Sequence, residues 1–379
     1  MKTRKSPMQV EFYRHSLDDK DVDNVLSVLR SVFLTSGPVG AKFEAKFAAY
    51  TGLPHVVALS SCSGAMHLAL LALDLKPGDE VITTPMTFIA TSTVIMHCGA
   101  KPVYVDVEPD TGLLDASKVA AAITPRTRGI LPVHLYGAMC DMRALAAVAK
   151  EHGLFIVEDC AHAIECSRDG VRPGELSAAA CYSFYATKNL TCGEGGAIAW
   201  HDADKAALSR QLANHGMSKN ASGRYHGKYE HWDMVAEGWK YNLDDIRAAL
   251  LVDQLDRLDG LHARRREIVA RYDAGFAGAP GIVRPRAPGV SAHHLYTLWV
   301  DPERRDAILH TLKGRGVAVA VNYRAIHTLT FLRDALGHAP EDFPEADRIG
   351  RSTITLPLYP KLTDEQIDYV VETVRDVAR

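Results

Sequence analysis

The chain has 379 residues, 47% of them hydrophobic, and a net charge of −3 at pH 7. This length predicts two or three domains, and the mixed charge gives no electrostatic reason to expect nucleic acid or an anionic membrane as a partner. The seven cysteines form no C-x-x-C pair, no run of about 18 apolar residues occurs, and no apolar segment follows the basic start. We therefore expect a soluble, cytoplasmic protein with reduced cysteines.

Helical spacing of apolar residues predicts helices over 17–33 and 42–50. From residue 56 the chain alternates between short apolar runs and amphipathic segments. Strands are predicted at 56–59, 80–83, 102–105, 129–133, 154–158, 179–184 and 197–200, and helices at 64–74, 87–98, 115–123 and 141–152. Such alternation is typical of an α/β fold with a mainly parallel sheet between helices. Only a short loop precedes 197–200, so this strand is expected to be antiparallel.

The second half of the chain begins with a polar, aromatic stretch, 215–237, which is interpreted as a substrate-facing loop or a flexible surface loop. Helical patterns follow, and a segment rich in Pro, Gly and Arg, 280–288, resembles a domain junction. The remaining elements are predicted strands at 294–300, 317–321 and 353–356, with helices at 304–316 and 363–377. We predict a large α/β domain over 1–255 and a small α+β domain over 256–379.

Three stretches carry candidate chemistry. Lys188 follows an apolar strand and precedes a glycine-rich turn, a place where an amine can be held and partly desolvated for Schiff-base chemistry. Asp159 follows the apolar run 154–157, with one acidic residue between them. It is expected at the edge of the sheet where α/β proteins bind ligands, and it could pair with a pyridine nitrogen. Ser60-Ser61-Cys62-Ser63-Gly64 lies between a strand and a helix, where backbone N–H groups favour phosphate. Taken singly, each has an ordinary alternative: a surface lysine, a helix cap and a helix start.

Together these stretches are arranged as in pyridoxal phosphate (PLP) enzymes of fold type I, and the chain resembles the DegT–StrS family of nucleotide-sugar aminotransferases nearly end to end. The resemblance is closest to the branch of UDP-4-amino-4-deoxy-L-arabinose aminotransferase. The stretches that match are Leu34 to Pro38, Gly78 to Ile82, Pro132-Val133-His134-Leu135-Tyr136-Gly137, Glu158-Asp159-Cys160-Ala161-His162-Ala163, Ser183 to Gly196 and Gly238-Trp239-Lys240-Tyr241-Asn242-Leu243.

The resemblance implies a role for each matching residue. Lys188 would carry the cofactor and act as general base. Asp159 would pair with the pyridine nitrogen, His162 would lie near the phenolic oxygen, and Phe88 would stack on the ring. The predicted phosphate ligands are Cys62, Ser63, Ser183 and, from the partner subunit, Lys240. Lys240 stands where many members have Asn, and it could instead reach the diphosphate of the substrate. The candidate substrate contacts are Thr35, Ser36, Tyr323 and His327.

The implied reaction moves the amino group of L-glutamate to a keto sugar linked to UDP or dTDP, most simply a 4-keto sugar, and releases 2-oxoglutarate. The amino sugar would serve cell-surface polysaccharide, lipopolysaccharide or glycan synthesis. The implied unit is a homodimer with active sites at the subunit interface, and no metal is expected. Two alternatives stay open: a PLP-binding sensor without turnover, and another fold-type I enzyme such as a lyase or dehydratase. The lysine at 188 disfavours the dehydratase, whose relatives have histidine there.

Overall fold

The computed structural model describes residues 8–218 and 231–378. The strands in these ranges are β1 (His55–Leu59), β2 (Glu80–Thr83), β3 (Lys101–Tyr104), β4 (Thr127–Ile130), β5 (Phe155–Asp159), β6 (Ala179–Ser183), β7 (Gly196–Trp200), β8 (Tyr296–Trp299) and β9 (Thr353–Leu356). The helices are α1 (Asp19–Leu29), α2 (Pro38–Thr51), α3 (Cys62–Ala72), α4 (Ala90–His97), α5 (Ala116–Val119), α6 (Met142–His152), α7 (Ala203–Leu212), α8 (Asp245–Val252), α9 (Gln254–Phe276), α10 (Arg305–Gly314), α11 (Thr330–Leu336), α12 (Pro344–Ser352) and α13 (Asp364–Ala378).

Seven strands form one sheet in the order β1-β7-β6-β5-β4-β2-β3. Strand β7 is antiparallel to both of its neighbours, and the other pairs are parallel. The predicted antiparallel strand is thus confirmed. The strands are buried almost throughout, as expected for a sheet covered on both faces. Because β5 and β6 are parallel neighbours, their carboxyl ends meet at one edge, which brings the segment after Asp159 next to the segment after Ser183.

A separate buried cluster lies at the carboxyl end of the chain. Strands β8 and β9 form an antiparallel pair, and α9, α10 and α13 pack around them. Apart from Val10, every buried member of this cluster lies between residues 268 and 374. The boundary near residue 255 stays a prediction, because Ala292, Trp299 and several residues between 325 and 349 pack in the core of the large sheet and α9 begins at Gln254.

The predicted strand 317–321 was wrong. Val317 makes a single bridge to Val10, and Ala320 makes a single bridge to Thr355. The segment changes partner within three residues, so neither pairing extends into a ladder. The predicted helix 115–123 is also broken, because α5 ends at Val119 and a 3₁₀ turn follows. Most of the predicted substrate loop, 219–230, lies outside the described residues.

The start of α2 is held by a buried carboxylate from another part of the chain. Asp245, 1% exposed, accepts hydrogen bonds from the backbone N–H groups of Gly37, Val39 and Gly40 at 2.9–3.1 Å. These N–H groups have no partner within the helix. A side chain on Gly37 would place its Cβ 2.7 Å from Asp245 Oδ2.

We expect Asp245→Ala to lower the free energy of unfolding by about 2–4 kcal/mol, because three partly buried donors lose a charged acceptor. Urea denaturation followed by circular dichroism measures this change. The matched control is Asp244→Ala, whose side chain contacts only α8, through Arg247 N at 2.8 Å and the partly exposed Arg247 guanidinium, with an expected cost of about 1 kcal/mol. Equal losses in the two variants would contradict the account.

Candidate active site

A cavity of about 520 Å³ opens at the carboxyl edge of the sheet, near the ends of β5 and β6. It contains most of the residues predicted from the sequence. The predicted residues in its wall are Cys62, Ser63, Phe88, Asp159, His162, Ser183, Lys188 and Tyr323. These side chains come from segments up to 261 residues apart, so the fold alone brings them together.

Asp159 is the buried carboxylate of the cavity. Its Oδ2 accepts a hydrogen bond from Thr91 Oγ1 at 2.9 Å, and its Oδ1 accepts one from Ala161 N at 3.1 Å. Burial raises the pKa of Asp159 above its ordinary value, while these two hydrogen bonds and the charge of Lys188 act in the opposite direction. The carboxylate is therefore held in one orientation at the cavity wall, where it can face a cationic ring nitrogen.

Lys188 follows β6 in a tight turn. Its backbone N–H donates to Tyr185 O at 2.9 Å, and Phe184 N donates to Gly195 O at 2.8 Å, which closes the loop that carries the lysine. Burial lowers the pKa of Lys188 to about 8, although Asp159 and Cys62 act in the opposite direction. A considerable fraction of the amine is therefore unprotonated near neutral pH and can act as a nucleophile.

This pKa predicts how the apoprotein captures PLP. The reactive species is the free amine, whose fraction rises with pH and levels off above the pKa. The capture rate should therefore rise to a plateau with a midpoint near pH 8. Stopped-flow absorbance of apoprotein mixed with PLP measures it, and the capture by free Nα-acetyl-lysine gives the reference curve. A midpoint at about pH 10, the pKa of an ordinary lysine, would contradict the account.

The phosphate site predicted at the start of α3 has the geometry of an anion cradle. Ser61 is the helix cap, with Oγ accepting from Gly64 N at 3.0 Å. The N–H groups of Cys62 and Ser63 have no acceptor within the described part of the chain. Strand β7 approaches this turn so closely that a Cβ on Gly196 would lie 2.4 Å from Cys62 N. Two free donors at a helix start thus face the cavity, where they can bind phosphate.

Phe88 and Ser183 flank this cradle. Phe88 is 54% exposed and its ring lies 5.9 Å from that of Tyr323, so it belongs to the cavity wall and not to the core. Ser183 is buried, and its Oγ accepts from Tyr185 N at 3.3 Å, which leaves its own proton available for donation. Both positions suit the predicted roles, stacking for Phe88 and phosphate binding for Ser183.

His162 is linked to Tyr323 across the cavity. Tyr136 N donates to His162 Nδ1 at 3.2 Å, and His162 Nε2 lies 3.1 Å from the hydroxyl of Tyr323. Burial holds the pKa of His162 well below its usual value, with Lys188 acting in the same direction. The ring is therefore neutral with its proton on Nε2, which donates to Tyr323.

The structure does not bring four predicted residues to the cavity of their own chain. The Ser36 hydroxyl donates to Leu243 O and accepts from the amide of Asn242, both at 2.7 Å, so its hydrogen bonds hold the turn. Thr35 does not line the cavity. His327 is fully buried, with Nε2 3.3 Å from Pro340 O. Lys240 is exposed, and its ammonium lies 3.4 Å from Asn214 Oδ1.

The sequence reasoning assigned no site role to Thr91, Asn189 or His294. Thr91 lies 68 positions before the carboxylate that it contacts, and no local spacing indicates that pairing. His294 lies in the cavity wall, but the sequence suggested only the start of a strand. The one feature of the sequence that could have indicated a site here was the pair of histidines at 293–294, just before β8.

The residues of the cavity fit PLP. The two unpartnered N–H groups at the start of α3 suit a phosphate, the fixed carboxylate of Asp159 suits a protonated ring nitrogen, and Lys188 provides an amine of lowered pKa. Phe88 leaves an exposed aromatic face beside them. This cofactor requires three kinds of group in one cavity: donors for its phosphate, a carboxylate for its ring nitrogen and a lysine for its aldehyde.

Comparison with known proteins gives the same result. The model of the DegT/DnrJ/EryC1/StrS aminotransferase family matches residues 15–375. SpsC of Bacillus subtilis, a spore coat polysaccharide biosynthesis protein, is 40% identical over 369 residues, 95% of each chain. Spr1654 of Streptococcus pneumoniae, a proposed sugar aminotransferase solved in its PMP form, superposes with a TM-score of 0.92 at 34% identity, covering 98% of this chain and 99% of that one. The structure of DesI with its TDP-sugar product superposes with a TM-score of 0.87 at 31% identity, covering 99% of this chain and 93% of that one.

The chain therefore belongs to the DegT/DnrJ/EryC1/StrS aminotransferase family. It has the fold-type I architecture of PLP-dependent aminotransferases, and its cofactor is PLP, as in the PLP form of Spr1654. The predicted fold class, family and cofactor are thus confirmed. None of the helices within 8–218 and 231–378 is both long and apolar enough to cross a membrane.

Proposed function

We propose that this protein transfers the amino group of L-glutamate to a keto sugar linked to a nucleotide, most simply at C4. The observation that carries the proposal is the placement of Lys188, with its lowered pKa, in one cavity with Asp159 and the phosphate donors of α3. The sugar is supported by the relatives: DesI is described with a TDP-sugar product, and SpsC serves spore coat polysaccharide synthesis. We propose surface polysaccharide, lipopolysaccharide or glycan synthesis in the cytoplasm as the setting here.

When bound, PLP withdraws electrons from the carbon that exchanges its amino group, which makes a proton on that carbon removable. Lys188 Nζ would take this proton from the glutamate carbon. In the second half-reaction the same amine would return a proton to the sugar carbon that was the carbonyl. Asp159 would stabilise the positive charge of the ring nitrogen, and Cys62, Ser63 and Ser183 would hold the phosphate.

The acceptor sugar is a UDP-linked 4-keto-pentose or a UDP- or dTDP-linked 4-keto-6-deoxyhexose. The proposal is tested in two steps. Adding L-glutamate to the PLP-loaded protein should convert the cofactor's absorption band to that of the pyridoxamine form, and adding the correct keto sugar should restore the original band. If glutamate leaves the band unchanged, the aminotransferase proposal fails, and a sensor or a lyase has to be considered instead.

We also propose a homodimer in which each subunit completes the other's site. Lys240 does not line the cavity of its own chain, and its contact with Asn214 at 3.4 Å leaves the ammonium exposed. Apolar side chains are exposed at the cavity mouth, including Phe88 and Tyr185, which are 54% and 46% exposed. A second copy would cover these side chains and place its Lys240 near the phosphate site.

Mixed dimers test this arrangement. Lys240→Ala should weaken PLP binding by about 10–100-fold through the loss of a charged contact to phosphate. The assay uses a PLP concentration that loads the wild-type site but not the Lys240→Ala site. When equal amounts of Lys240→Ala and Lys188→Ala chains exchange subunits freely, half of the dimers are mixed and each has one intact site, so about a quarter of wild-type activity should return. If Lys240 acts within its own chain, every site of the mixed dimer carries a defect and no activity returns.

A further inference from the structure

His294 is a histidine of the cavity wall to which no role has been assigned. It is 4% exposed and its ring packs against that of His162, with centroids 4.5 Å apart. It lies two residues before the start of β8, on the segment that follows the proline-rich junction. Its chemistry depends on which ring nitrogen carries the proton, and the hydrogen bonds around it decide this.

Asn189, the residue after Lys188, determines the proton position. Its amide nitrogen donates to Ala292 O at 2.8 Å and to the carboxylate of Glu165 at 3.0 Å. A backbone carbonyl can only accept, so the orientation of the amide is determined independently of the protonation of Glu165. The remaining atom, Oδ1, can only accept as well, and it lies 3.3 Å from His294 Nδ1. His294 must therefore have its proton on Nδ1.

His294 Nε2 is left with a lone pair. Burial holds the pKa of His294 well below its usual value, and the nearby Lys188, His162 and Arg265 act in the same direction. The ring is therefore neutral at physiological pH. Within the described part of the chain the ring of His294 makes its hydrogen bond through Nδ1, so Nε2 is an acceptor available to a ligand in the cavity.

His162 has the opposite tautomer. Its Nδ1 accepts from Tyr136 N, so its Nε2 donates to the hydroxyl of Tyr323. That hydroxyl already accepts one hydrogen bond and can donate its own proton to a ligand. Burial raises the pKa of Tyr323, so the proton stays on the oxygen. The cavity thus presents one hydroxyl donor, Tyr323, and one imidazole acceptor, His294, whose rings both pack against His162, at centroid distances of 5.9 and 4.5 Å.

We propose that this pair recognises a hydroxy ketone: His294 Nε2 accepts a hydrogen bond from the hydroxyl on the carbon beside the carbonyl, while Tyr323 donates to a neighbouring oxygen. This inference rests on the proposed function and narrows its substrate to keto sugars that keep this hydroxyl. The carboxylates of glutamate and 2-oxoglutarate have no proton to donate to His294. A sugar hydroxyl supplies one. A bound analogue that lacks the hydroxyl would screen Nε2 from water without giving it a donor, and this cost disfavours the analogue.

The test compares two keto sugars that differ only in this hydroxyl. The protein is first converted to its pyridoxamine form with glutamate, and each sugar's single-turnover rate is then recorded by absorbance. The wild type should prefer the hydroxylated sugar by about 10–100-fold. In His294→Leu, which has no acceptor, this ratio should fall to nearly one. In His294→Gln, whose amide oxygen can replace Nε2, part of the preference should return.

A second readout does not depend on turnover. Nitrogen-15 NMR of the histidine rings should show His294 with a protonated Nδ1 and an unprotonated Nε2, assigned by the signal that His294→Gln removes. A proton on Nε2 would overturn the inference. So would a sugar preference that His294→Leu leaves intact while glutamate still converts the cofactor. If glutamate fails to convert the wild-type protein, the proposed function itself has failed, and the NMR result still decides the state of His294.

Discussion

Replacing Lys188 with alanine is expected to slow both half-reactions by at least about 10²–10⁴-fold, the usual contribution of a positioned general base. One amine serves both directions of the amino transfer, so the two rates should fall together. Single-turnover absorbance with glutamate and with 2-oxoglutarate measures the two directions. The variant should still bind the pyridoxamine form, because the phosphate donors of α3 and the carboxylate of Asp159 are unchanged.

The matched control is Lys188→Arg. Arginine keeps a positive charge and a similar length but cannot lose its proton near neutral pH. If the role of Lys188 were electrostatic, arginine would retain much of the activity. If the role is that of a base, as we expect, arginine is as inactive as alanine. An alanine variant with more than about a tenth of wild-type activity would contradict the assignment, because no general base should be dispensable to that extent.

The second large effect is expected at Asp159. Asp159→Asn keeps the shape of the side chain but removes the charge that opposes the ring nitrogen, so the glutamate half-reaction should slow by about 10²–10³-fold. The new amide also faces a donor, because both carboxylate oxygens now accept hydrogen bonds, from Ala161 N and Thr91 Oγ1. Single-turnover absorbance with glutamate is again the measurement.

Thr91→Val is the control for Asp159. It removes one hydrogen bond to the same carboxylate, at 2.9 Å, but leaves the negative charge. The rate should fall by less than about 10-fold, since a single hydrogen bond contributes about 1 kcal/mol. If Thr91→Val and Asp159→Asn are equally slow, the carboxylate acts through its orientation alone and not through its charge.

Sequence patterns predicted the seven strands of the large sheet because most of them are short, buried apolar runs, although β3 and β4 each include an exposed basic residue. They also indicated Asp159 and Lys188 as candidates, since both residues follow predicted strands, but their assignment depended on the phosphate-site stretch and on the family resemblance. The segment 317–321 has the same apolar composition but makes only isolated bridges. Amino-acid composition cannot distinguish a paired strand from a segment with isolated bridges, because pairing depends on which other strands lie beside the segment.

Contacts between distant segments could not be predicted. The hydroxyl of Ser36 resembles a substrate ligand in the sequence, but Leu243 and Asn242 occupy it. His327 and His294 are both histidines of the C-terminal part, and only His294 reaches the cavity. The difference arises from tertiary packing: the ring of His327 packs on Phe343 at 5.1 Å, whereas Asn189 holds His294 at the cavity wall.

The most direct test of the account is the transfer of nitrogen itself. Purified PLP-loaded protein is incubated with ¹⁵N-glutamate and a panel of UDP- and dTDP-linked keto sugars, and mass spectrometry follows the label. The account predicts a ¹⁵N-amino sugar nucleotide from a 4-keto sugar, one 2-oxoglutarate per product, and no product with Lys188→Ala. If the wild type converts glutamate to 2-oxoglutarate but labels none of the sugars, the protein is an aminotransferase with another acceptor, and the proposed sugar function is contradicted.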